Sequence, residues 1–280
     1  MSGLLASLQH LVPAAGDGVH VLAYHLVGGG TASPVDLPAD DFRRQMEELA
    51  AGGRVVSLDA ALARLAGEAE AGGGTTGGGT AVVLTFDDAY RNFATAAWPL
   101  LRDLALPATL YVPTAFVDGV GRSPISVCDL PAASWDELAR LAGEGLTLGS
   151  HSHAHRDLPA LSAAEVADDL ARARRLLAER TGSAGEHFCY PRALRSRRAE
   201  RVVARFHVSA AIAGGNVNRR RRFSPLRLSR LPVRRDLGAS AAPLLAHAVH
   251  LHEWLASRAR RPRAWLRRTL GGPLRRRSDR

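Results

Sequence analysis

From residue 19 to about residue 235, short apolar and β-branched runs alternate with helix-patterned segments, one repeat every roughly 25–45 residues. Parallel strands need a crossover long enough to hold a helix, so this alternation implies a mostly parallel sheet wrapped by helices, open or closed into a barrel. In either form, ligands sit at the carboxyl ends of the strands. Strands are predicted at 19–25 (VHVLAYH), 54–57, 81–86 (AVVLTF), 108–113 (ATLYVP), 146–149, 188–190 and 208–212. Helices are predicted over 40–51, 58–66, 92–104 and 196–206. Two more open on capping boxes, Ser134 with Glu137 and Ser162 with Glu165, and run to about residues 142 and 182. Residues 1–18 read as an N-terminal extension, 19–235 as one domain, and 236–280 as a helix near 241–257 followed by an arginine-rich tail.

The 280 residues contain no lysine, so all 37 basic residues are arginine. That excludes a Walker-type phosphate loop and Schiff-base chemistry on lysine, and the glycine-rich run at 72–79 is a connection of low complexity. Charge is divided along the chain: residues 1–170 carry 9 Arg against 21 Asp and Glu, residues 171–280 carry 28 against 6. Cys128 and Cys189 are too few for a disulfide framework and are not spaced as a metal clip. The N-terminus has no basic leader ahead of its apolar stretch, and no apolar run reaches 18 residues. A cytoplasmic protein is the expectation, peripheral at the inner membrane face if the tail meets anionic lipid.

Three predicted strand ends carry polar residues that a core would not take. The first is Thr85, Phe86, Asp87, Asp88. Adjacent carboxylates there point to different sides, so one can bind a cation while its neighbour faces water or substrate, and they repel each other unless a cation is near. The second is 149–157, GSHSHAHRD, where His151 and His155 lie four apart and can present both imidazoles to one ion while His153 points elsewhere. Two histidines and a carboxylate form a common catalytic metal set with positions left open. The third is 187–193, HFCYPRA. His25, at the end of the first strand, reaches the same region, either to protonate a leaving amine or to line the pocket.

TFDDAYRNF (85–93), GSHSHAHRDL (149–158) and FCYPRA (188–193), with LAYHLV (22–27) and PATLYVP (107–113), resemble the polysaccharide deacetylases, carbohydrate esterase family 4, in order and rough spacing. The resemblance spans residues 19–235. It implies a distorted (β/α) barrel of about seven parallel strands and a hydrolase that removes N-acetyl groups from amino sugars or glycans. It further implies Asp87 as general base, and Asp88, His151 and His155 as ligands of a divalent cation, usually zinc. Oxyanion and substrate contacts fall at Tyr190, Pro191 and Arg192, the backbone N–H of Arg192 serving as donor. A short or lipid-carried acceptor is expected, since only four Trp and four Tyr are present to stack on a long glycan.

The pattern is departed from at four places. Ala89 and Ala193 stand where the family has glycine, and alanine is strained if those positions need positive φ. Cys189 stands where an arginine commonly holds the base aspartate. The strand bearing a late general-acid histidine is not found, and His247, His250 and His252 lie in an amphipathic helix pattern. These departures keep open a catalytically impaired member. A rival of another class is a protein that uses Arg219–Arg222 and the 256–280 tail on anionic lipid or nucleic acid. Trp254, Trp265 and Leu266 in that basic context suit a lipid interface, and no nucleic-acid-binding motif appears, so nucleic acid is the less favoured partner.

Overall fold

The computed structural model describes residues 18–68, 80–125 and 129–235. Residues 1–17 of the expected 1–18 extension, the glycine run, Cys128 and the helix and tail at 236–280 lie outside the described residues, and Gly18 already belongs to the first strand. Seven parallel strands form the barrel: β1 (Gly18–Tyr24), β4 (Ala81–Phe86), β5 (Ala108–Val112), β6 (Thr147–Ser150), β7 (His187–Cys189), β8 (Ser209–Ala213) and β10 (Leu228–Pro232). They pair in the order β10-β8-β7-β6-β5-β4-β1, and β10 pairs β1 to close the ring, with Val21 opposite Arg230. Three short pieces add to this: β2 (Leu26–Val27) paired with β3 (Asp36–Leu37), and β9 (Asn218–Arg219), which runs antiparallel to the start of β1.

Strand parity explains the two layers of core. Val19 and Val21 of β1, Val83 of β4, Tyr111 of β5, Cys189 of β7 and Leu228 of β10 share one cluster although their strands are not all neighbours, so they meet across the barrel interior. Leu58, Ala61 and Leu65 of α2 (Leu58–Ala66) join them beside Val19 and Ala81, closing the end where the strands begin. The opposite parity, Leu22, Tyr24, Val82, Leu84 and Phe86, faces outward onto Phe42 and Met46 of α1 (Ala39–Ala51) and onto Phe93, Trp98 and Leu101. Each such side chain contributes about 1.5–3 kcal/mol on full burial.

A short α4 (Thr114–Val117) follows β5, and both capping boxes form: Ser134 opens α5 (Trp135–Gly143) and Ser162 opens α6 (Ala163–Thr181), which Gly182 ends in the left-handed conformation at φ 72°. Three expectations shift. The strand at 54–57 is a single bridge, Val55 to Val82. The helix over 92–104 starts as a π-turn, Phe93–Ala97, before α3 (Trp98–Asp103), because Pro99 has no N–H to donate into an α-helical ladder. The helix at 196–206 contracts to α7 (Arg197–Val203). Among the described residues, no helix is long and apolar enough to cross a membrane.

Candidate active site

The three strand ends converge on one cavity of about 270 Å³ at the carboxyl end of the barrel, lined by His25, Asp87, Asp88, His151, His155, Tyr190, Arg192 and Arg230 among others. The two aspartates diverge at the backbone. Asp87 continues the extended course of β4, its N–H donating to the Tyr24 carbonyl (2.9 Å), whereas Asp88 turns into the left-handed region at φ 75°. Their carboxylates therefore enter different surroundings.

Asp87 is gripped by Arg230. Nη1 donates to Oδ1 and Nη2 to Oδ2, each at 2.7 Å, in the bidentate geometry that matches guanidinium to carboxylate. The same guanidinium donates to Thr85 Oγ1 (3.1 Å) and Cys189 Sγ (2.9 Å) and lies 5.4 Å over the Tyr111 ring. Thr85 is fixed in turn by its bond to the Leu22 carbonyl, 2.7 Å. Gly149 belongs to this packing, since a Cβ there would sit 2.6 Å from the Tyr111 ring. Burial alone would raise the pKa of Asp87, but the Arg230 charge and hydrogen bonds overrule it and hold the carboxyl well below the usual range. With Cys189 in the expected place, the three sequence motifs contain no source for this guanidinium. It comes instead from β10, which the apolar pattern did not reveal.

Asp88 faces two imidazoles. His151 Nε2 lies 3.5 Å and His155 Nε2 3.6 Å from Asp88 Oδ1, too far for hydrogen bonds and arranged around one point. The ligand atoms of all three lie within 4.8 Å of one another. His151 Nδ1 bonds the Cys189 carbonyl at 2.8 Å; since a carbonyl only accepts, Nδ1 carries the proton and Nε2 offers its lone pair, the arrangement typical of metal-ligating histidine. Burial lowers His151 to a pKa of about 4 and His155 to about 3, keeping both neutral, while burial and the neighbouring Asp87 push Asp88 well up. A buried carboxylate beside two neutral imidazoles is the donor chemistry of a divalent-cation site, and these residues fit one.

The loop that carries the histidines is tied down by a residue that the sequence motif does not include. Asp169 of α6 accepts from the N–H groups of His153 (2.8 Å) and Ala154 (3.0 Å). The His153 ring turns away from the cluster, as expected, and bonds Thr114 Oγ1 at 2.8 Å. His25 Nε2 is 3.7 Å from Asp87 Oδ2, and its buried Nδ1 has no hydrogen-bond partner.

In the third motif the N–H of Tyr190 is spent on the Ala211 carbonyl and that of Ala193 on Tyr190, and Pro191 has none, which leaves Arg192 as the donor of this turn. The Arg192 side chain pairs with Asp157. The Tyr190 ring packs edge-on against Phe188 (5.2 Å) in an outer cluster with Leu158 and Val202, and Pro191 is buried outside the cavity lining. His247, His250 and His252 lie outside the described residues.

Among the described residues, six of the seven non-glycine residues at positive φ belong to the three motifs: Asp88, Ala89, Ser152, His155, Arg192 and Ala193. Ala89 (φ 51°) and Ala193 (φ 57°) do carry the strain foreseen from the missing glycines. Left-handed backbone costs an L-residue about 1–2 kcal/mol, partly offset by the roughly 0.4–1 kcal/mol that glycine loses in chain entropy. Ala193→Gly should therefore raise stability by about 0.5–1 kcal/mol, seen as a higher urea midpoint at unchanged slope. Ala89 is fully buried, and loss of its methyl should cancel most of the gain there.

A closed parallel barrel carries at its carboxyl end a carboxylate and two histidines able to hold a cation, beside a second, arginine-held carboxylate. Residues 74–211 match the family described as Polysaccharide deacetylase, and the chain carries a polysaccharide deacetylase domain. Solved structures share the fold. The IcaB structure from Ammonifex degensii has a TM-score of 0.66 at 23% identity, covering 84% of this chain and 97% of that one. The Streptococcus pyogenes deacetylase PplD in complex with acetate also scores 0.66, at 18% identity over 79% and 95%. The BpsB deacetylase domain from Bordetella bronchiseptica scores 0.62, at 22% identity over 79% and 97%. No curated protein matches the chain by sequence.

Proposed function

We propose that the protein is a metal-dependent hydrolase that removes the N-acetyl group from an acetylated amino sugar or glycan, with Asp87 as general base. The observation that carries this reading is the placement of an arginine-held, ionised carboxylate beside an Asp–His–His cluster in a single cavity. Asp88, His151 and His155 hold the cation, and two imidazoles with one carboxylate favour zinc. When bound, such an ion polarises the amide carbonyl and acidifies water at the site.

The protein's own groups do the rest. Asp87 accepts the proton of the attacking water, and Arg230 fixes which carboxylate oxygens face the cavity. Negative charge on the former carbonyl oxygen is met by the N–H of Arg192, a backbone donor held in place by the strained turn. His25, whose Nε2 lies 3.7 Å from Asp87 Oδ2, takes over the proton that Asp87 has accepted and passes it to the departing amine. The histidine sought after the last strand is on this reading supplied by the first.

Acetate release from N-acetylglucosamine oligomers, before and after chelation, tests the proposal. Turnover should fall by at least about a hundredfold on metal removal and return with zinc; turnover indifferent to chelation would sink the metal-dependent reading.

A further inference from the structure

The floor and the rim of the cavity differ in chemistry. The floor holds the charged groups at the strand ends, while the rim includes Val35, Pro124, Ile125, Ala213 and Pro232. Among the described residues the rim offers no free phenol or indole face: Tyr190 carries the one such ring in the lining, and Phe188 packs edge-on against it. At about 270 Å³ the space lies just below the range of roughly 300–1,000 Å³ usual for small-molecule pockets, which suits one sugar ring and not a run of them.

The backbone that carries two of these aliphatic side chains is held by dedicated polar anchors. Val35 lies in the loop between β2 and β3. Its own carbonyl accepts from Leu26 N–H (3.3 Å), and the adjacent Pro34 carbonyl accepts from Arg235 N–H (2.9 Å). The buried Asp36 carboxylate takes the N–H groups of Gly29 (3.0 Å) and Thr31 (2.7 Å), and the Arg235 side chain bonds the carbonyls of Asp36 and Thr31. Ile125 is fixed from the opposite side. Its N–H donates to the hydroxyl of the buried Tyr90 (2.9 Å), and its carbonyl accepts from Ser123 Oγ (3.0 Å). Both residues remain partly exposed at the mouth.

A pinned aliphatic surface cannot collapse onto itself, so its remaining exposed area is available to be covered by substrate. The reacting carbonyl must reach Asp87 on the floor, which leaves the rim to meet the part of the substrate farthest from the acetyl group. We infer that Val35 and Ile125 are specificity-determining residues that select an N-acetylhexosamine bearing an aliphatic chain in place of a further sugar. The inference rests on the deacetylase reading and names its substrate class.

Acetate release from a series of alkyl N-acetylglucosaminides, methyl to octyl and below micelle formation, is compared with release from N,N′-diacetylchitobiose. For the metal-loaded wild type, kcat/KM should rise up to about threefold for each methylene the rim covers. The octyl glycoside should exceed chitobiose at least about tenfold. Ile125→Asn and Val35→Asn should each flatten the series several-fold through KM, whereas Ile125→Leu keeps it. A wild type that cleaves chitobiose as well as the octyl glycoside, or an Ile125→Asn variant that lowers both substrates equally, overturns the inference and leaves the deacetylase reading intact. If no substrate is cleaved, that reading fails instead. Calorimetric binding of octyl N-acetylglucosaminide then decides the rim by itself, because Ile125→Asn must weaken binding or the inference falls.

Discussion

Arg230→Met should lower kcat by about a hundredfold or more while leaving zinc binding at the wild-type level. The residue lies on β10 and is 4% exposed, and its guanidinium bonds Asp87, Thr85 and Cys189 and not the three candidate ligands, so its main influence runs through Asp87. Without the fork of two 2.7 Å bonds the carboxylate is free to rotate, and burial, no longer overruled by the Arg230 charge, favours its neutral form. A protonated, misoriented Asp87 cannot take a proton, and positioned general bases contribute about 10²–10⁴ in rate. An unpaired buried carboxylate also destabilises the fold, by roughly 3–5 kcal/mol when one partner of a buried pair is removed. Arg230→Lys separates the two effects, for it keeps the charge and loses the bidentate geometry. It should retain the fold and metal, yet stay well below wild type in kcat with KM little changed. Wild-type kcat in Arg230→Lys would show that the fork has no part in holding the base.

The same residue shows where sequence reading stops. Asp87, Asp88, His151 and His155 are legible because apolar strands end abruptly on residues that a core rejects, a contrast contained within ten residues of chain. β10 offers no such contrast. Leu228–Pro232 reads LSRLP, with a guanidinium at an inward position between an inward Leu228 and an outward Leu231, so neither an apolar run nor a clean alternation marks it. Its partner strand β1 lies some two hundred residues earlier, and only closure of the ring makes Arg230 and Asp87 neighbours. Asp169 is hidden for a related reason. On α6 it resembles any other acid on a helix, and its bonds to the histidine loop come from packing of that helix against the barrel. The glycine replacements work in the other direction. Ala89 and Ala193 suggested strain from sequence, and the positive φ at both shows that the backbone keeps a glycine's conformation without the glycine.

Asp87→Asn and Asp88→Ala should fail in opposite ways although the residues are adjacent. Asparagine at 87 still accepts from Arg230 and leaves the Asp88–His151–His155 cluster untouched, so bound zinc persists while kcat drops by about 10²–10⁴, the contribution of a general base. Alanine at 88 removes the only carboxylate of the cluster and leaves two neutral imidazoles. Metal affinity should fall by at least about a hundredfold, and excess zinc should restore part of the lost turnover. Titration calorimetry for the metal and acetate release for turnover distinguish the two; equally tight zinc in Asp88→Ala would remove that residue as a ligand. The asymmetry originates in one backbone angle. Extended geometry at Asp87 delivers its carboxylate to Arg230, and φ of 75° at Asp88 delivers the next one to the histidines. Two like groups that repel within one turn of chain thus acquire opposite proton affinities, the condition under which one carboxylate works as a base and its neighbour requires a cation.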